Sequence, residues 1–189
     1  MNRANLTTKW WSRPILTLAN HSAVAILLNQ EVTPSILMVK RAHRAGDPWS
    51  GDMAFPGGRM ESRDQSYEAT AIRELHEEVG VHIQKPPLAS LSTLWTKSHN
   101  NFRPMAIHPY LFSIQSKLSF KLSHEVDEVV WIPLSAFDGS LRKHFHWKLR
   151  FTTYKMPCFY YQKYRIWGLS LKMIEELLAL DYFASRLGK

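Results

Sequence analysis

Apolar and polar positions along the chain follow two periods, and each period predicts a different kind of element. Apolar runs at residues 22–29 and 35–40 predict two strands joined by a turn at residues 30–34. Further strands are predicted at residues 88–96, 105–114, 126–132, 145–152 and 157–161. Helical spacing of apolar residues predicts one helix that ends near residue 79 and another over residues 169–187. This order is that of a mixed α/β protein.

The chain has 189 residues, a length that suits one domain with a full core. We expect a single domain over residues 1–189, in which residues 1–20 form an N-terminal extension or a first helix. No repeat, low-complexity segment or linker interrupts the pattern. Cys158 is the single cysteine, so an internal disulfide is excluded, and its apolar surroundings in the sequence predict a core position.

Three glutamates fall on one side of the first predicted helix. With about 100° of rotation per residue, Glu74, Glu77 and Glu78 lie within one arc of about 100°. The adjoining arc is apolar and predicts a core-facing stripe that consists of Ala71, Ile72, Leu75 and Val79. Carboxylates held this close repel one another unless a cation neutralises them, and hard oxygen ligands favour Mg²⁺ or Mn²⁺. The same pattern also occurs on ordinary solvated helix faces, so its context decides.

The context of the three glutamates favours a metal site. The loop Pro56-Gly57-Gly58 precedes the helix, and Asp64 or Ser66 is a plausible N-cap. Gly80 follows the helix at the position where a left-handed C-cap is expected. Arg73 is placed to orient the glutamate that follows it by one turn. Several independent features therefore coincide at one helix.

The stretch from Gly57 to Val81 closely resembles the signature of the Nudix hydrolases, in which Arg-Glu-x-x-Glu-Glu-x-Gly follows a Gly-Gly loop. Asp64 stands where that signature usually has Glu, and eight residues instead of seven separate it from Arg73. A similar variant occurs in the coenzyme A pyrophosphatase branch, and here it reads Phe55-Pro56-Gly57-Gly58, Asp64 and Thr70-Ala71-Ile72-Arg73-Glu74. The resemblance implies an α/β/α sandwich with a mixed sheet and a catalytic loop and helix, with residues 57–81 as the Nudix box.

An upstream motif of the same branch is only partly present. Arg41 matches its first arginine, but Ala42 replaces a serine and Asp47 stands where a second arginine is usual. A carboxylate is a poor substitute for a phosphate-binding arginine. Coenzyme A is therefore one candidate substrate among several.

The resemblance implies metal-dependent hydrolysis of a diphosphate bond in a nucleoside diphosphate derivative or a coenzyme A-like substrate. The implied ligands of Mg²⁺ or Mn²⁺ are Glu74, Glu77, Glu78 and the carbonyl oxygen of Gly58. Arg73 orients the carboxylates. The general base stays open among Glu74, Glu78 and Glu125. For substrate binding we single out Arg41, Arg59 and Trp49, with Trp95 as the alternative stacking aromatic.

Glu125 is predicted as a further functional acid because it lies in a loop before a predicted strand. Many Nudix enzymes place another acidic metal ligand or base at such a position. Glu128 follows within the approach to the same strand and is the alternative. For either residue, a plain solvated acid before a strand is an equally good interpretation.

Charge and composition indicate which classes of ligand and partner suit this chain. The net charge is +8, and eight of the sixteen acids lie between residues 47 and 78, so the rest of the chain is more basic. A positive surface attracts anionic substrates. There is no dense Lys/Arg run and no nucleic-acid module, so a small-molecule diphosphate is favoured over nucleic acid. No apolar run reaches membrane-spanning length, and no secretory signal is recognised. We expect a cytoplasmic protein, and its oligomeric state stays open, a homodimer included.

Two other functions stay open at this stage. One is a catalytically silent Nudix module that binds a nucleotide metabolite to regulate a partner. The intact Glu74, Glu77 and Glu78 argue against it, because a pure binding module has no need of them. The other is an RNA-end-processing pyrophosphatase with the same metal chemistry, which predicts strong, salt-dependent RNA binding.

Overall fold

The computed structural model describes residues 19–30, 33–47, 49–97, 103–114, 118–149 and 152–180. Within these ranges the strands are β1 (Asn20–Asn29), β2 (Ser35–Arg41), β3 (Met53–Ala54), β4 (Gly57–Arg59), β5 (Ala89–Ser90), β6 (Leu94–Lys97), β7 (Pro104–Ile114), β8 (Val126–Pro133), β9 (Lys143–Leu149), β10 (Thr152–Tyr161) and β11 (Tyr164–Trp167). The helices are α1 (Tyr67–Val79) and α2 (Gly168–Ala179), and 3-10 turns span Leu134–Phe137 and Gly139–Leu141. Residues 1–18 of the predicted N-terminal extension and residues 181–187 of the predicted last helix lie outside the described residues.

The main sheet is mixed because β1 pairs with one parallel strand and with two antiparallel strands. β1 runs parallel to β7 along its whole length, and antiparallel to β2 and β4. β2 also runs antiparallel to β3 and β8, and the main strand order is β3-β2-β1-β7-β5. A parallel pair needs a long connection, and α1 lies within the connection from β1 to β7. The predicted α/β class with a mixed sheet is confirmed.

Both faces of this sheet are buried. Alternate residues of a strand point to opposite faces. On one face Ala23, Ala25 and Leu27 of β1 pack with α1, and on the other Ile26 and Leu28 pack with α2 and the second sheet. Burial on both faces explains why β1 reads as a continuous apolar run in the sequence.

The capping residues of α1 fix its two ends. The Ser66 hydroxyl accepts a hydrogen bond from the Ala69 N–H at 3.0 Å, so Ser66 is the N-cap, and the alternative, Asp64, is not. At the other end Gly80 adopts a φ of 75°, and its N–H donates to the His76 carbonyl. The predicted core-facing stripe is confirmed, since full burial is found at Ala71, Leu75 and Val79.

The strands β9, β10 and β11 form a separate antiparallel sheet, which packs with α2 on the face opposite α1. In its register Trp147 lies opposite Tyr154, and Cys158 lies opposite Trp167. Cys158 is fully buried, as predicted. Within the described ranges, no helix is long and apolar enough to cross a membrane.

Two strand predictions are wrong in extent. Residues 88–96 form the two short strands β5 and β6 instead of one strand, because each pairs with a different part of β7. Residues 157–161 are only the end of β10, which begins at Thr152 because its first half pairs with β9. The strand β11, which pairs with that same end of β10, was not predicted.

The glycine loop and the last helix also differ from their predictions. Gly57 and Gly58 belong to the strand β4, which pairs with β1, and the lack of a Cβ atom at Gly57 lets the backbone lie close against that strand. The helix α2 ends at Ala179, since Leu180 leaves the helical geometry with a ψ of 135°, and the rest of the predicted range lies outside the described residues.

Candidate active site

The Glu78 carboxyl is the most deeply buried acid of the predicted box. Its residue surface is 8% exposed, and the Gly57 N–H donates a hydrogen bond to the carboxyl. Its atom Oε2 is buried and has no hydrogen-bond partner among the described residues. Burial, together with the nearby charges of Glu74 and Glu125, raises the pKa of Glu78 to about 8 against the opposing effects of Arg41 and the Gly57 hydrogen bond.

Glu74 lies directly against the backbone of β4. A Cβ atom added to Gly58 would come within 2.6 Å of all three outer atoms of the Glu74 carboxyl. Burial raises the pKa of Glu74, and the hydrogen bond from Arg73 only partly offsets that effect. The carbonyl oxygen of Gly58 was predicted as a metal ligand together with Glu74. The structure places Gly58 directly beside the Glu74 carboxyl.

Arg73 connects the acids of the box. Its Nη1 donates to Glu74 at 2.8 Å and to Glu77 at 3.0 Å, while Nη2 donates to the Arg59 carbonyl at 2.9 Å. The guanidinium also donates two hydrogen bonds to the Asp64 carboxylate, from Nε and from Nη2, each at 2.9 Å. Arg73 thus contacts Asp64, Glu74 and Glu77 at once, and its role in orienting the carboxylates stays a prediction.

Glu77 is the exposed member of the three glutamates. One carboxylate oxygen accepts from Arg73 and the other from Arg63, at 2.8 Å. Both oxygens are therefore engaged by arginines.

The loop before β8 brings Glu125 to the box. The Ser123 N–H donates to the Glu78 carbonyl at 2.9 Å, and the Glu125 carbonyl accepts from the Ala42 N–H at 2.8 Å. The Glu125 charge raises the pKa of both Glu74 and Glu78, and its side chain forms an ion pair with Arg44 at 3.0 Å.

The alternative acid, Glu128, is held in a different network. It accepts hydrogen bonds from Lys163, at 3.1 Å, and from Tyr164, and it lies 3.6 Å from Lys40. The two lysines and the tyrosine therefore pair with the Glu128 carboxylate, and none of these partners belongs to the box. Of the two acids weighed before β8, the structure brings Glu125 to the site.

The donor set suits a hard divalent cation. Within the residues that the structure describes, no three His, Cys, Asp or Glu side chains already form a cluster that could hold a metal ion. The residues present nevertheless fit one, because Glu78 offers an unpartnered oxygen and Glu74 lies beside Gly58. Glu125 adds a third negative charge. Glu77 would have to leave its arginine partners to become a ligand.

A cavity of about 490 Å³ opens beside this box. That volume lies in the range of roughly 300–1,000 Å³ that is common for small-molecule sites. Its lining includes the predicted residues Gly58, Arg41 and Trp49 together with Gly57. Arg59, whose side chain is exposed, and Trp95 do not line it. Of the substrate-binding candidates, the structure thus brings Arg41 and Trp49 to the cavity.

Arg41 faces an acid at the position where the upstream motif has an arginine. Its Nη2 lies 2.7 Å from Asp47 Oδ2, and the other oxygen of Asp47 accepts from the Trp49 N–H at 3.0 Å. Asp47 thus holds both the predicted phosphate-binding arginine and the backbone of the predicted stacking aromatic.

Four residues at the site were missed or assigned no role there. Lys172, Trp147 and Asp52 line the cavity, and Asp64 is the main partner of Arg73. Asp64 could have been found from its place in the box pattern. Lys172 and Trp147 come from the last helix and the second sheet, and no local pattern in the sequence links either segment to the box.

Comparison with known proteins agrees with the geometry. Residues 19–154 match the family model described as the NUDIX domain. A Nudix hydrolase NudL of Enterobacter sp. (strain 638) is 31% identical over 187 residues, which cover 94% of this chain and 90% of the relative. The human mitochondrial coenzyme A diphosphatase NUDT8 is 28% identical over 195 residues, which cover 97% of this chain and 78% of the relative.

The solved structures that resemble this chain have the same fold. A MutT/nudix family protein from Enterococcus faecalis has a TM-score of 0.57 at 17% identity, with 100% of this chain and 71% of that chain covered. The NUDIX domain of Shewanella oneidensis NrtR, solved with ADP ribose, has a TM-score of 0.50 at 24% identity, with 62% and 74% covered. At these identities the likeness shows the fold alone.

The chain belongs to the Nudix family, as its box predicted. The predicted Nudix fold and the enzyme class, a Nudix pyrophosphohydrolase, are confirmed. Nudix hydrolases act on small-molecule diphosphates and generally use divalent metal ions.

Proposed function

We propose that this chain hydrolyses a diphosphate bond in a nucleoside diphosphate derivative or a coenzyme A-like ester, with Mg²⁺ or Mn²⁺ as its cofactor. The observation that carries the proposal is the buried Glu78 carboxyl, which lies beside Glu74 with one oxygen unpartnered among the described residues. A buried carboxylate is costly unless a proton or a cation neutralises it. Two relatives, human and mouse, carry the name mitochondrial coenzyme A diphosphatase, which supports a coenzyme A-like substrate.

The residues that would hold the ion are Glu74 and Glu78, with the Gly58 carbonyl and, after it leaves its arginine partners, Glu77. A divalent ion supplies neutralisation of the diphosphate charge and activation of a water molecule. Arg73 keeps Glu74 aimed at the backbone of β4 through its 2.8 Å hydrogen bond. Arg41 lines the cavity and would contact a phosphate oxygen as its pair with Asp47 loosens.

The proton from the attacking water goes to one acid of the site. Glu74, Glu78 and Glu125 are the candidates, because burial and neighbouring acids raise the pKa of Glu74 and Glu78 and the charge of Glu125 contributes to both shifts, so that an ionised acid at this place is a stronger proton acceptor than a solvated one. Single changes to Gln separate their roles. A change to Gln at the general base should lower kcat and leave metal affinity unchanged. A change to Gln at a metal ligand should lower both kcat and metal affinity.

The test is product release from a panel of diphosphates with Mg²⁺ or Mn²⁺. The panel holds coenzyme A, ADP-ribose, NADH, dinucleoside polyphosphates and nucleoside triphosphates. We expect turnover of one class, reduced by at least about 100-fold in Glu78→Gln. Glu68→Gln is the matched control. Glu68 lies on the same helix, but its charge raises the pKa of Tyr110, which is not one of the acids of the box.

The alternative outcome is equally specific. If no member of the panel is turned over and tight nucleotide binding survives Glu78→Gln, the hydrolase proposal is wrong. A regulatory nucleotide-binding module would then be the better interpretation of this chain.

A further inference from the structure

Three indole rings from three separate segments form one wall of the cavity. Trp49 comes from the loop between β2 and β3, Trp147 from β9 and Trp167 from the end of β11. The ring centroids lie 6.1 Å apart for Trp49 and Trp147, 5.8 Å for Trp49 and Trp167, and 5.6 Å for Trp147 and Trp167. Trp49 and Trp147 are close to parallel, with 24° between their planes.

The innermost ring of this tryptophan wall is fixed. Trp167 is buried, its Nε1–H donates to Asp52 at 3.0 Å, and Phe145 packs edge-on against it at 5.0 Å. The Arg165 guanidinium lies over the Phe145 ring at 4.0 Å. The hydrogen bond to Asp52 and the packing of Phe145 thus hold the Trp167 ring in place.

The outer ring is only partly covered. The backbone N–H of Trp49 donates a hydrogen bond to Asp47, which fixes the main chain at this residue, and 41% of the residue surface is exposed. A large exposed aromatic surface in a cavity is typical of a binding site for a flat apolar group. Ring stacking on such a surface is strongest for extended planar groups.

The tryptophan wall and the acidic box share one cavity. Gly57 and Gly58, which touch Glu78 and Glu74, line the cavity together with Trp49 and Trp147. A ligand whose diphosphate lies at the glycines can therefore place an attached ring against the indoles. Among the two classes of nucleobase, a purine offers the larger stacking surface.

We propose that Trp49 and Trp147 stack on the base of the substrate, with Trp167 as their fixed support, so that the enzyme selects purine nucleoside diphosphate derivatives. This inference rests on the proposed function for its choice of substrate. Its binding component is independent, because a purine nucleotide is expected to bind whether or not it is cleaved.

The test is calorimetric titration of the full-length protein with AMP, UMP and ribose 5-phosphate, each with and without Mg²⁺. We expect AMP to bind most tightly and ribose 5-phosphate, which has no base, most weakly. Trp49→Ala and Trp147→Ala should each weaken AMP binding by about fivefold to 100-fold, the range that single base–aromatic stacks cover. Trp49→Phe should restore most of the loss, since an aromatic face is retained.

Trp95→Ala is the matched control, because Trp95 is 50% exposed on β6 but does not line the cavity. It should leave AMP binding unchanged. Equal affinity for AMP and ribose 5-phosphate, or an equal loss in Trp95→Ala, would overturn the stacking site. AMP binding that depends on Trp49 without turnover of any diphosphate would instead reject the hydrolase and keep the stacking site.

Where turnover is found, the kinetics give a second readout. Loss of a stacking contact that is equal in the ground and transition states raises KM and leaves kcat unchanged. We expect this pattern for Trp49→Ala and Trp147→Ala with a purine substrate. A fall in kcat at constant KM would contradict a role in base binding.

Discussion

Arg73 and Asp64 form a two-point ion pair, with Nε and Nη2 of the arginine each 2.9 Å from a different carboxylate oxygen. Asp64 also accepts hydrogen bonds from the Glu61 N–H at 2.9 Å and the Thr70 hydroxyl at 3.0 Å. The Arg73 guanidinium holds the pKa of Asp64 well below its usual range, and Asp64 in turn raises the pKa of Arg73. This one pair therefore fixes the arginine that orients Glu74.

Asp64→Ala should destabilise the fold because it removes the two-point partner of a nearly buried arginine. The side chains of Asp64 and Arg73 are 4% and 12% exposed. Arg73 keeps Glu74 and Glu77 as partners, so we expect a loss of about 3 kcal/mol of unfolding free energy, the lower end of the cost of breaking a buried pair. Urea denaturation at pH 7 measures the loss. Glu61→Ala is the control, since Glu61 lies 3.9 Å from Arg73 at an exposed position and should cost at most about 1 kcal/mol.

The same pair predicts a pH dependence. The pKa of Asp64 is lower in the folded state than in the unfolded chain, so its contribution to stability is complete above the unfolded pKa of about 4. It is lost as the pH falls below that value. The stability difference between the native chain and Asp64→Ala should therefore shrink between pH 4 and pH 2. A constant difference over that interval would argue that Asp64 acts by packing and not by charge.

Gly57→Ala and Gly58→Ala should fail in different ways, although the two residues are adjacent. A Cβ atom at Gly57 would lie 2.5 Å from the Ala23 carbonyl oxygen and 2.7 Å from the Val24 Cα, both backbone atoms of β1. The three atoms nearest to a Cβ at Gly58 all belong to the carboxyl end of the flexible Glu74 side chain. We expect Gly57→Ala to lower the melting temperature sharply. Gly58→Ala should fold and lose most of its metal-dependent activity.

Gly139→Ala is the control for these two variants, because nothing lies within 4 Å of a Cβ atom at Gly139. Circular dichroism melts and activity assays on the three proteins decide the matter. Full activity in Gly58→Ala would show that the position of the Glu74 carboxylate is not critical.

The sequence predicts the box helix and most of the strands, because those features are local. Caps, an apolar stripe and three glutamates on one helix are readable from spacing alone, and Ser66 and Leu75 occupy the predicted cap and core positions. The tryptophan wall is different. Trp49 and Trp147 lie almost a hundred residues apart, and only the packing of the second sheet on the first brings them together. No periodicity encodes that distance.

The burial of the acids was only partly readable from the sequence. On a helical wheel Glu78 lies about 60° from Leu75 and Glu77 about 160° from it, so Glu78 adjoins the apolar stripe. In the structure Glu78 is buried under β4, while Glu77 is exposed and paired with Arg63 and Arg73. The wheel gives the side of the helix, but the cover by β4 depends on the tertiary packing. The Asp47 substitution for an arginine was visible, but its ion pair with Arg41 required the loop geometry.

Asp47→Asn should strengthen the binding of anionic substrates. The change removes the charge that pairs with Arg41 but keeps an oxygen for the Trp49 N–H. Arg41 would then be available to a phosphate, and we expect KM to fall by about threefold to tenfold at low salt. The gain should shrink at high ionic strength because the pair is partly exposed. Arg41→Gln should raise KM, and the absence of any change in both variants would exclude Arg41 from substrate contact.

Glu78→Gln should stabilise the metal-free protein at high pH. The folded pKa of about 8 lies above the unfolded pKa of about 4.5, so the folded chain holds a proton that the unfolded chain has lost. The stability of the native chain therefore falls as the pH rises from about 4.5 to 8. The variant avoids this loss, which we place on the order of 4 kcal/mol at pH 8. Denaturation in the presence of a chelator at pH 5 and pH 8 gives the comparison.

Metal binding should release this proton. Near pH 7 the metal-free Glu78 is mostly protonated, and a cation requires the carboxylate. Calorimetric titration of Mn²⁺ in two buffers with different protonation enthalpies should show release of about one proton at pH 7 and little at pH 9. Glu68→Gln should behave like the native chain. Equal proton release at both pH values would reject Glu78 as the coupled group.

Lys172→Gln should weaken substrate binding without slowing the chemical step. Lys172 is exposed on α2 and lines the cavity, and among the described residues it forms no ion pair, in contrast to Arg41. An unpaired cation beside the diphosphate site attracts the substrate throughout the reaction, so its loss should raise KM by about fivefold and leave kcat unchanged. The effect should diminish with added salt. Lys155→Gln, an exposed lysine of β10 that does not line the cavity, is the control. Equal increases of KM in both variants would point to the overall positive charge of the protein instead of a contact in the cavity.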